Sequence, residues 1–451
     1  MPAPKKKNPA STKKAAASKK RSVKEEGEGA PSIGILRPLL CLATVLAAGW
    51  PVLSVLFRGI ADVGTSFDDA RIAPLLLWLG TGLLACLLCR GRGFRGDGSF
   101  VLLTWLLCGL GIVLQMRLGT WCDDFGNVKT YLPLTAGLLL FLFFLRGVPR
   151  HLFEMLLPKI GLLCWLAALG VLGVLFFFGH SYRGGMFLPG QINPTELVKI
   201  LLVAAGASLL PKYEEGLSRT VLGIPVPPLR DVLPLAVVWG VPLLGAVAVR
   251  DLGLVLILCL TFMLMLTALT RRLGWTVFGL AAAGAAGWAI RLVSAHSRAR
   301  FDVWLNPFAD PLNKGWQIGQ SLCAQYAGGL WGTGTAEGMP GAVPIVSSDF
   351  VWAAIAEEWG LVGCFLLLAI YLVWISHAAQ SASDSECSAV RLFGFGCGAL
   401  LGVQILLNIG GVTKALPMTG ITLPLMSQGG FSLLSTLLLC GIVTALSRKN
   451  A

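Results

Sequence analysis

Apolar and polar positions in this chain fall into long blocks, with neither the alternation of half-buried strands nor the three-to-four-residue recurrence of amphipathic helices. Apolar stretches lie at about 36–57, 72–90, 99–116, 131–146, 155–178, 195–210, 232–249, 252–270, 274–291, 350–376, 390–411 and 430–447. Crossing a bilayer takes about 20 predominantly apolar helical residues, so the pattern predicts twelve transmembrane helices, several of them short or abutting. The fold class expected is an all-α polytopic membrane protein.

The charges between the blocks test that count. Alternate connections carry Arg90, Arg92 and Arg95; Arg146 and Arg150; Lys212, Arg219 and Arg230; Arg271 and Arg272; and finally Arg448 and Lys449. These share a side with the basic N-terminal tail, whereas Asp62, Asp68, Asp69, Asp123, Asp124 and the long 292–349 connection fall opposite. Cytoplasmic connections are enriched in Lys and Arg. Both termini are therefore expected in the cytoplasm and the 292–349 loop outside, although Arg58, Arg71, Arg117, Arg298 and Arg300 are cations on that outer side. A loop of this length is usually functional or disordered. Its Trp304, Pro307, Pro311, Trp316 and Trp331 predict a folded cap.

Composition agrees with this reading: 55% of residues are hydrophobic and 13% charged, against about 25% charged in a soluble domain. The net charge of +13 is uneven, with nine Lys or Arg against three Glu in the first 34 residues. That tail has no apolar periodicity and is expected to be disordered. It serves as a topogenic anchor touching anionic lipid, or as a docking segment for a cytoplasmic partner. No folded module accompanies it, which argues against nucleic acid, and no signal peptide precedes Pro31. The expected organisation is a tail (1–34), N-terminal helices (35–178), a membrane core (179–291), an extracytoplasmic loop (292–349) and C-terminal helices (350–451). Of the twelve Cys, most sit in apolar stretches as small hydrophobes; Cys122 and Cys323 fall in outer loops, where a bridge is conceivable.

Candidate chemistry is sparse. There is no HExxH, GxSxG or Walker lysine loop, and the four His (His151, His180, His296, His377) are scattered; protease, hydrolase and ATPase readings lack support. Gly332-Thr333-Gly334 with Gly338 follows no strand and reads as a structural turn. Asp349, Glu357 and Glu358 stand where the long loop re-enters an apolar segment. An acid costs about 2.5–3.5 kcal/mol at a membrane helix centre, so acids kept there are usually used. In Asn193-Pro194-Thr195-Glu196-Leu197-Val198-Lys199, Pro194 suits the first helical position and Asn193 the cap. Glu196 and Lys199, at i,i+3, form either a structural ion pair or, with Arg183 upstream, a cationic pocket for a lipid pyrophosphate. Asp251 in Arg250-Asp251-Leu252-Gly253 marks the junction of two apolar segments, in a structural or a functional role. From Asn408 to Gly430 repeated Pro and Gly predict a re-entrant or broken segment, which survives in a membrane only where protein or a water-filled cavity surrounds it.

Pro-Thr-Glu-Leu-Val-Lys (194–199), Asp-Leu-Gly (251–253), Trp-Leu-Asn-Pro…Gly-Trp-Gln…Gln-Ser-Leu (304–322), Ser-Asp-Phe…Ala-Glu-Glu-Trp-Gly (348–360) and Leu-Pro-Met-Thr-Gly-Ile-Thr-Leu-Pro-Leu-Met-Ser-Gln-Gly-Gly (416–430) occur in the order found in the SEDS family. From about 180 to 447 the chain thus resembles the RodA/FtsW-type shape, elongation, division and sporulation proteins. The resemblance implies a peptidoglycan glycosyltransferase that polymerises lipid II at the outer face of the plasma membrane. It also implies a class B penicillin-binding protein as partner, alongside other elongation or division machinery. The family's essential acid, the Asp of a His-Thr-Asp-Phe motif, matches Asp349. Here Ser347-Ser348 replace His-Thr, Ile345-Val346 stand where a Glu is usual, and Gln428 and Phe431 replace a common Tyr and Ser. The family core has ten helices, so two N-terminal helices are extra here.

The chemistry implied is one inverting displacement, from an α-linked pyrophosphate to a β-1,4 linkage. Asp349 is the expected base for the acceptor 4-hydroxyl, a role typically worth ~10²–10⁴-fold. Lys199 and Arg183 are expected to neutralise the pyrophosphate, with Arg298 and Arg300 as secondary cations. Glu196, Gln317 and Ser427 are candidate substrate contacts; Asp251, Glu357, Glu358 and Asn408 are candidate supports, Glu358 through structural pairing. Mg²⁺ or Mn²⁺ can assist, but no carboxylate cluster defines a dedicated metal site. A lipid-linked-precursor flippase and an assembly scaffold are the rival readings.

Overall fold

The computed structural model describes residues 69–448 apart from 91–95, 120–127, 183–184, 190–191, 222–223, 226 and 294. The 36–57 stretch, the basic tail, Cys122 and Arg183 lie outside the described residues. The described helices, in chain order, are α1 (Asp69–Arg90), α2 (Gly98–Arg117), α3 (Val128–Gly147), α4 (Arg150–Phe178), α5 (Thr195–Leu209), α6 (Leu229–Ala248), α7 (Leu252–Thr270), α8 (Gly274–Val293), α9 (Ala295–Leu305), α10 (Trp316–Gly328), α11 (Val351–Gln380), α12 (Ser388–Val412) and α13 (Gly430–Leu446). A single helical turn, Glu214–Leu217, follows α5. Two small antiparallel hairpins, His180–Tyr182 with Gly185–Phe187 and Thr220–Val221 with Ile224–Pro225, are the only strands among the described residues.

Six of these helices, α2, α4, α6, α7, α11 and α12, are long and apolar enough to cross a membrane. The twelve spans expected from hydropathy are therefore met in part. The apolar portions of α1, α3, α8 and α13 run to only 10–17 residues, and α5 spends Glu196 and Lys199 in its first turns. Lipid-side apolar exposure supports the membrane assignment: Leu163, Phe177, Leu244 and Phe365 are more than 60% exposed on α4, α6 and α11. An aqueous surface would not leave such rows uncovered. By contrast, the apolar windows of α2 and α12 are each 78% buried, and these two helices form the centre on which the site is built.

Local sequence explains the main boundaries. Asp97 caps α2, its Oδ1 accepting from Ser99 N at 2.9 Å and Phe100 N at 3.2 Å. Trp78 of α1 and Trp105 of α2 stack at 4.2 Å, and each indole NH donates to the other's carbonyl. α5 begins one residue later than expected: Pro194 occupies its cap, and Asn193 Oδ1 accepts from the Thr195 amide at 3.1 Å and hydroxyl at 2.6 Å.

α11 is broken at Gly360, whose φ of 66° and ψ of −171° are not helical. The loop after α10 fills the break, where Leu361 N donates to Gly329 O and Val362 N to Leu330 O. A Cβ at Gly360 would lie 2.2 Å from Gly332 N, so only glycine fits. Gly332 and Gly334 are themselves left-handed turn residues, at φ 82° and 106°.

Candidate active site

Asp349 sits in the turn that leads into α11. Three successive carbonyls hold this turn from outside. Ser347 O accepts from Gln428 N at 2.6 Å and Gln115 Nε2 at 2.8 Å. Ser348 O accepts from the Ser427 hydroxyl. Asp349 O accepts from Asn408 Nδ2 at 3.0 Å. The donors belong to α2, to α12 and to the segment linking α12 with α13. That segment is held in turn: Asn408 also donates to Ile421 O at 2.6 Å, Tyr371 OH to Pro424 O at 2.7 Å, and Gln115 to Met426 O at 2.7 Å.

Such anchoring reads the backbone, not the side chains at 347 and 348. The turn carries strain as well. Ile345 and Leu425 are left-handed at φ 58° and 64°, a conformation that costs large side chains of order 1–3 kcal/mol each and clusters at functional sites.

The Asp349 carboxylate faces Gly420, where a Cβ would lie 3.5 Å from its Oδ2. It also interacts electrostatically with Arg300 of α9, as does Asp251. Arg300 reaches the Met418 and Thr419 carbonyls at 3.4 Å each. Burial pushes its guanidinium down, and the two aspartates push it back up. Asp251 caps α7, accepting from Leu254 N at 2.8 Å and Thr195 Oγ1 at 3.3 Å. Burial raises its carboxyl above the usual range; the Leu254 amide, Lys199 and Thr195 oppose that shift, and Glu196 adds to it.

Lys199 is buried and bonded to Glu196 Oε2 at 2.8 Å, with Gln404 Oε1 at 3.4 Å. Glu196 also accepts from Ser435 Oγ at 3.3 Å. The Lys199 ammonium is thus committed inside the protein, whereas Arg300 is a cation whose charge interacts with Asp349. Arg298 and Gln317 are exposed side chains. Ser427 and Asn408 are buried: Ser427 Oγ and Asn408 Nδ2 bond backbone groups of the turn and of the segment after α12, while Asn408 Oδ1 is buried without a partner.

Glu357 and Glu358 hold the loop between α10 and α11. Glu357 Oε1 accepts from Met339 N at 2.8 Å. Glu358 pairs with Arg117 at 3.0 Å and accepts from Ala336 N at 3.2 Å, while Arg117 also donates to the Ala336 and Gly338 carbonyls. Gln115 was not singled out in the sequence, and Arg117 was read there only as a cation on the outer side. A lone amide inside an apolar run is the one signal that could have found Gln115, since an unpaired amide there is costly. Among the described residues, no group of three His, Cys, Asp or Glu side chains could hold a metal ion.

Residues 99–451 match the family model of the FtsW, RodA and SpoVE cell cycle proteins. Peptidoglycan glycosyltransferase RodA of Mycobacterium tuberculosis is 34% identical over 359 residues, 76% of this chain and 76% of that protein. A chain solved in work on coordinated polymerization and crosslinking by a peptidoglycan synthase complex is 25% identical with a TM-score of 0.62, covering 78% of this chain and 98% of that one. The rod shape determining protein RodA of Thermus thermophilus shares the fold, with a TM-score of 0.55 at 24% identity over 79% of this chain and 98% of that one.

Proposed function

The chain belongs to the FtsW, RodA and SpoVE family, and from that membership we infer that it is a peptidoglycan glycosyltransferase, a multi-pass membrane enzyme that polymerises lipid II. One feature supports the mechanism: the turn that carries Asp349 is anchored from α2, α12 and the segment after α12, with the Arg300 charge acting on its carboxylate. In this reading the acceptor 4-hydroxyl attacks the donor anomeric carbon and gives its proton to Asp349. The bond from that carbon to the pyrophosphate oxygen breaks with inversion, and the lipid pyrophosphate leaves. A cation beside the leaving group stabilises the charge as it develops, and Arg300 is preferred to Lys199, whose ammonium is paired with Glu196. Arg183, outside the described residues, stays a proposed second cation, with Arg298 and Gln317 as outlying contacts. A divalent ion, Mg²⁺ or Mn²⁺, would arrive with the pyrophosphate, and titrating turnover against EDTA tests that.

We read twelve crossings from the six long spans, the four shorter apolar helices, α5 and the 36–57 stretch, with both termini cytoplasmic and 292–349 outside. The alternation of basic connections supports this orientation. A class B penicillin-binding protein is the proposed partner.

Reconstitution with labelled lipid II tests the activity. Glycan chains support the enzyme; lipid movement across the bilayer without polymer would make it a flippase, and neither activity would leave a scaffold. If Arg300→Ala polymerises at the wild-type rate, the cation assignment is wrong.

A further inference from the structure

Gln115 lies in α2 and is 2% exposed, in surroundings where an amide must be paired. Its Nε2 has two hydrogens. Both have carbonyl acceptors: Ser347 O at 2.8 Å and Met426 O at 2.7 Å. One helical turn earlier on the same face, Gly111 lies against the Leu425 carbonyl, which an added Cβ would meet at 1.9 Å. The C-terminal half of α2 is thus a seat on which two loops converge. One loop carries Asp349 two residues beyond the bonded carbonyl. The other carries Ser427 and Gln428, which grip the same turn. No other side chain with a described hydrogen bond ties both loops to α2 through one atom.

We propose that Gln115 is a positioning residue for glycosyl transfer, holding the Asp349 carboxylate opposite Arg300 by fixing the Ser347 and Met426 carbonyls together. The proposal rests on the reading of Asp349 as the base. Gln115 touches no substrate and acts only through these two carbonyls. A misplacement of about 1 Å costs on the order of 10²-fold in rate.

The test uses the full chain in lipid nanodiscs with lipid II, comparing wild type, Gln115→Met, Gln115→Glu and Asp349→Asn. Gln115→Met keeps the volume and removes both donors; Gln115→Glu keeps the shape and turns acceptors toward two carbonyls. Both are expected to lower kcat by on the order of 10²-fold, with KM for lipid II within about twofold of wild type. The acid limb of the pH–rate profile should also move upward, because Asp349 loses part of its cation. A merely structural role would reduce the yield of folded protein but leave kcat per folded enzyme and the acid limb in place; that result overturns the proposal. If Gln115→Met does not fold, Gln115→Glu is read by the same criteria. Polymerisation by Asp349→Asn would overturn the base itself and the proposal with it. An inert Asp349→Asn beside wild-type Gln115 variants would overturn the positioning role alone.

Discussion

Replacing Gly111 with alanine tests whether the seat on α2 is rigid. Elsewhere in a helix the change should help, because alanine is favoured over glycine by about 1 kcal/mol. At 111 the new Cβ would lie 1.9 Å from Leu425 O, and real Cβ contacts essentially never fall below 3.0 Å. Either α2 or the Leu425 segment must therefore retreat by about 1.1 Å. Overpacking of this kind costs about 1–3 kcal/mol, which outweighs the propensity gain. A shift of that size beside Ser427 and Gln428 lowers turnover on the order of 10²-fold. The assay pairs thermal unfolding in nanodiscs with lipid II polymerisation. Gly170→Ala on α4 is the control, since nothing lies within 4 Å of a Cβ there; it should hold or raise its midpoint and keep its activity. Gly111→Ala with an unchanged or raised midpoint and full turnover would refute the rigid seat.

Other perturbations separate the supports. Asn408→Leu strips the Asp349 and Ile421 carbonyls of a buried donor, about 1–3 kcal/mol for each group left unsatisfied, and should lower both thermal midpoint and turnover; wild-type turnover would remove Asn408 from the turn's anchoring. Arg117→Met leaves Glu358, 2% exposed, with one amide donor, a loss of about 3 kcal/mol. Limited proteolysis should then cut the 331–343 loop faster, and the Arg117→Met/Glu358→Gln pair should be cut more slowly than Arg117→Met alone. At Asp97 burial opposes ionisation, but His377 at 2.5 Å and the Phe100 and Ser99 amides outweigh it and hold the carboxyl below its usual range. A depressed folded value gives stability that is present above the ordinary carboxylate range near ~3.9 and lost as pH falls through the lower folded value. Unfolding midpoints measured from pH 6 down to about 3 should fall less for Asp97→Asn than for wild type; parallel curves would contradict this.

Helix positions were legible where hydropathy is local: α2 and α7 fall within a residue or two of the 99–116 and 252–270 stretches. The Glu196–Lys199 pair was legible from its spacing, but its Gln404 partner was not, because 205 positions separate Lys199 from it. The break in α11 was hidden because one glycine in an apolar run is compatible with a continuous helix. What selects the break is the approach of Gly332 from a distant loop. α9 and α10 were read only as a folded cap, since a polar stretch such as Ala295–Leu305 has no apolar stripe to reveal it. Asp349 stood out as an acid beside hydrocarbon. Its anchoring did not, because three backbone carbonyls do the work and carbonyls leave no mark in a sequence.

The central claim is that Asp349 is the base. Purified full-length protein carrying Asp349→Asn, in nanodiscs with labelled lipid II, should bind the lipid, keep the wild-type thermal midpoint and make no glycan above background. Glycan chains formed at the wild-type rate by that variant would contradict the account.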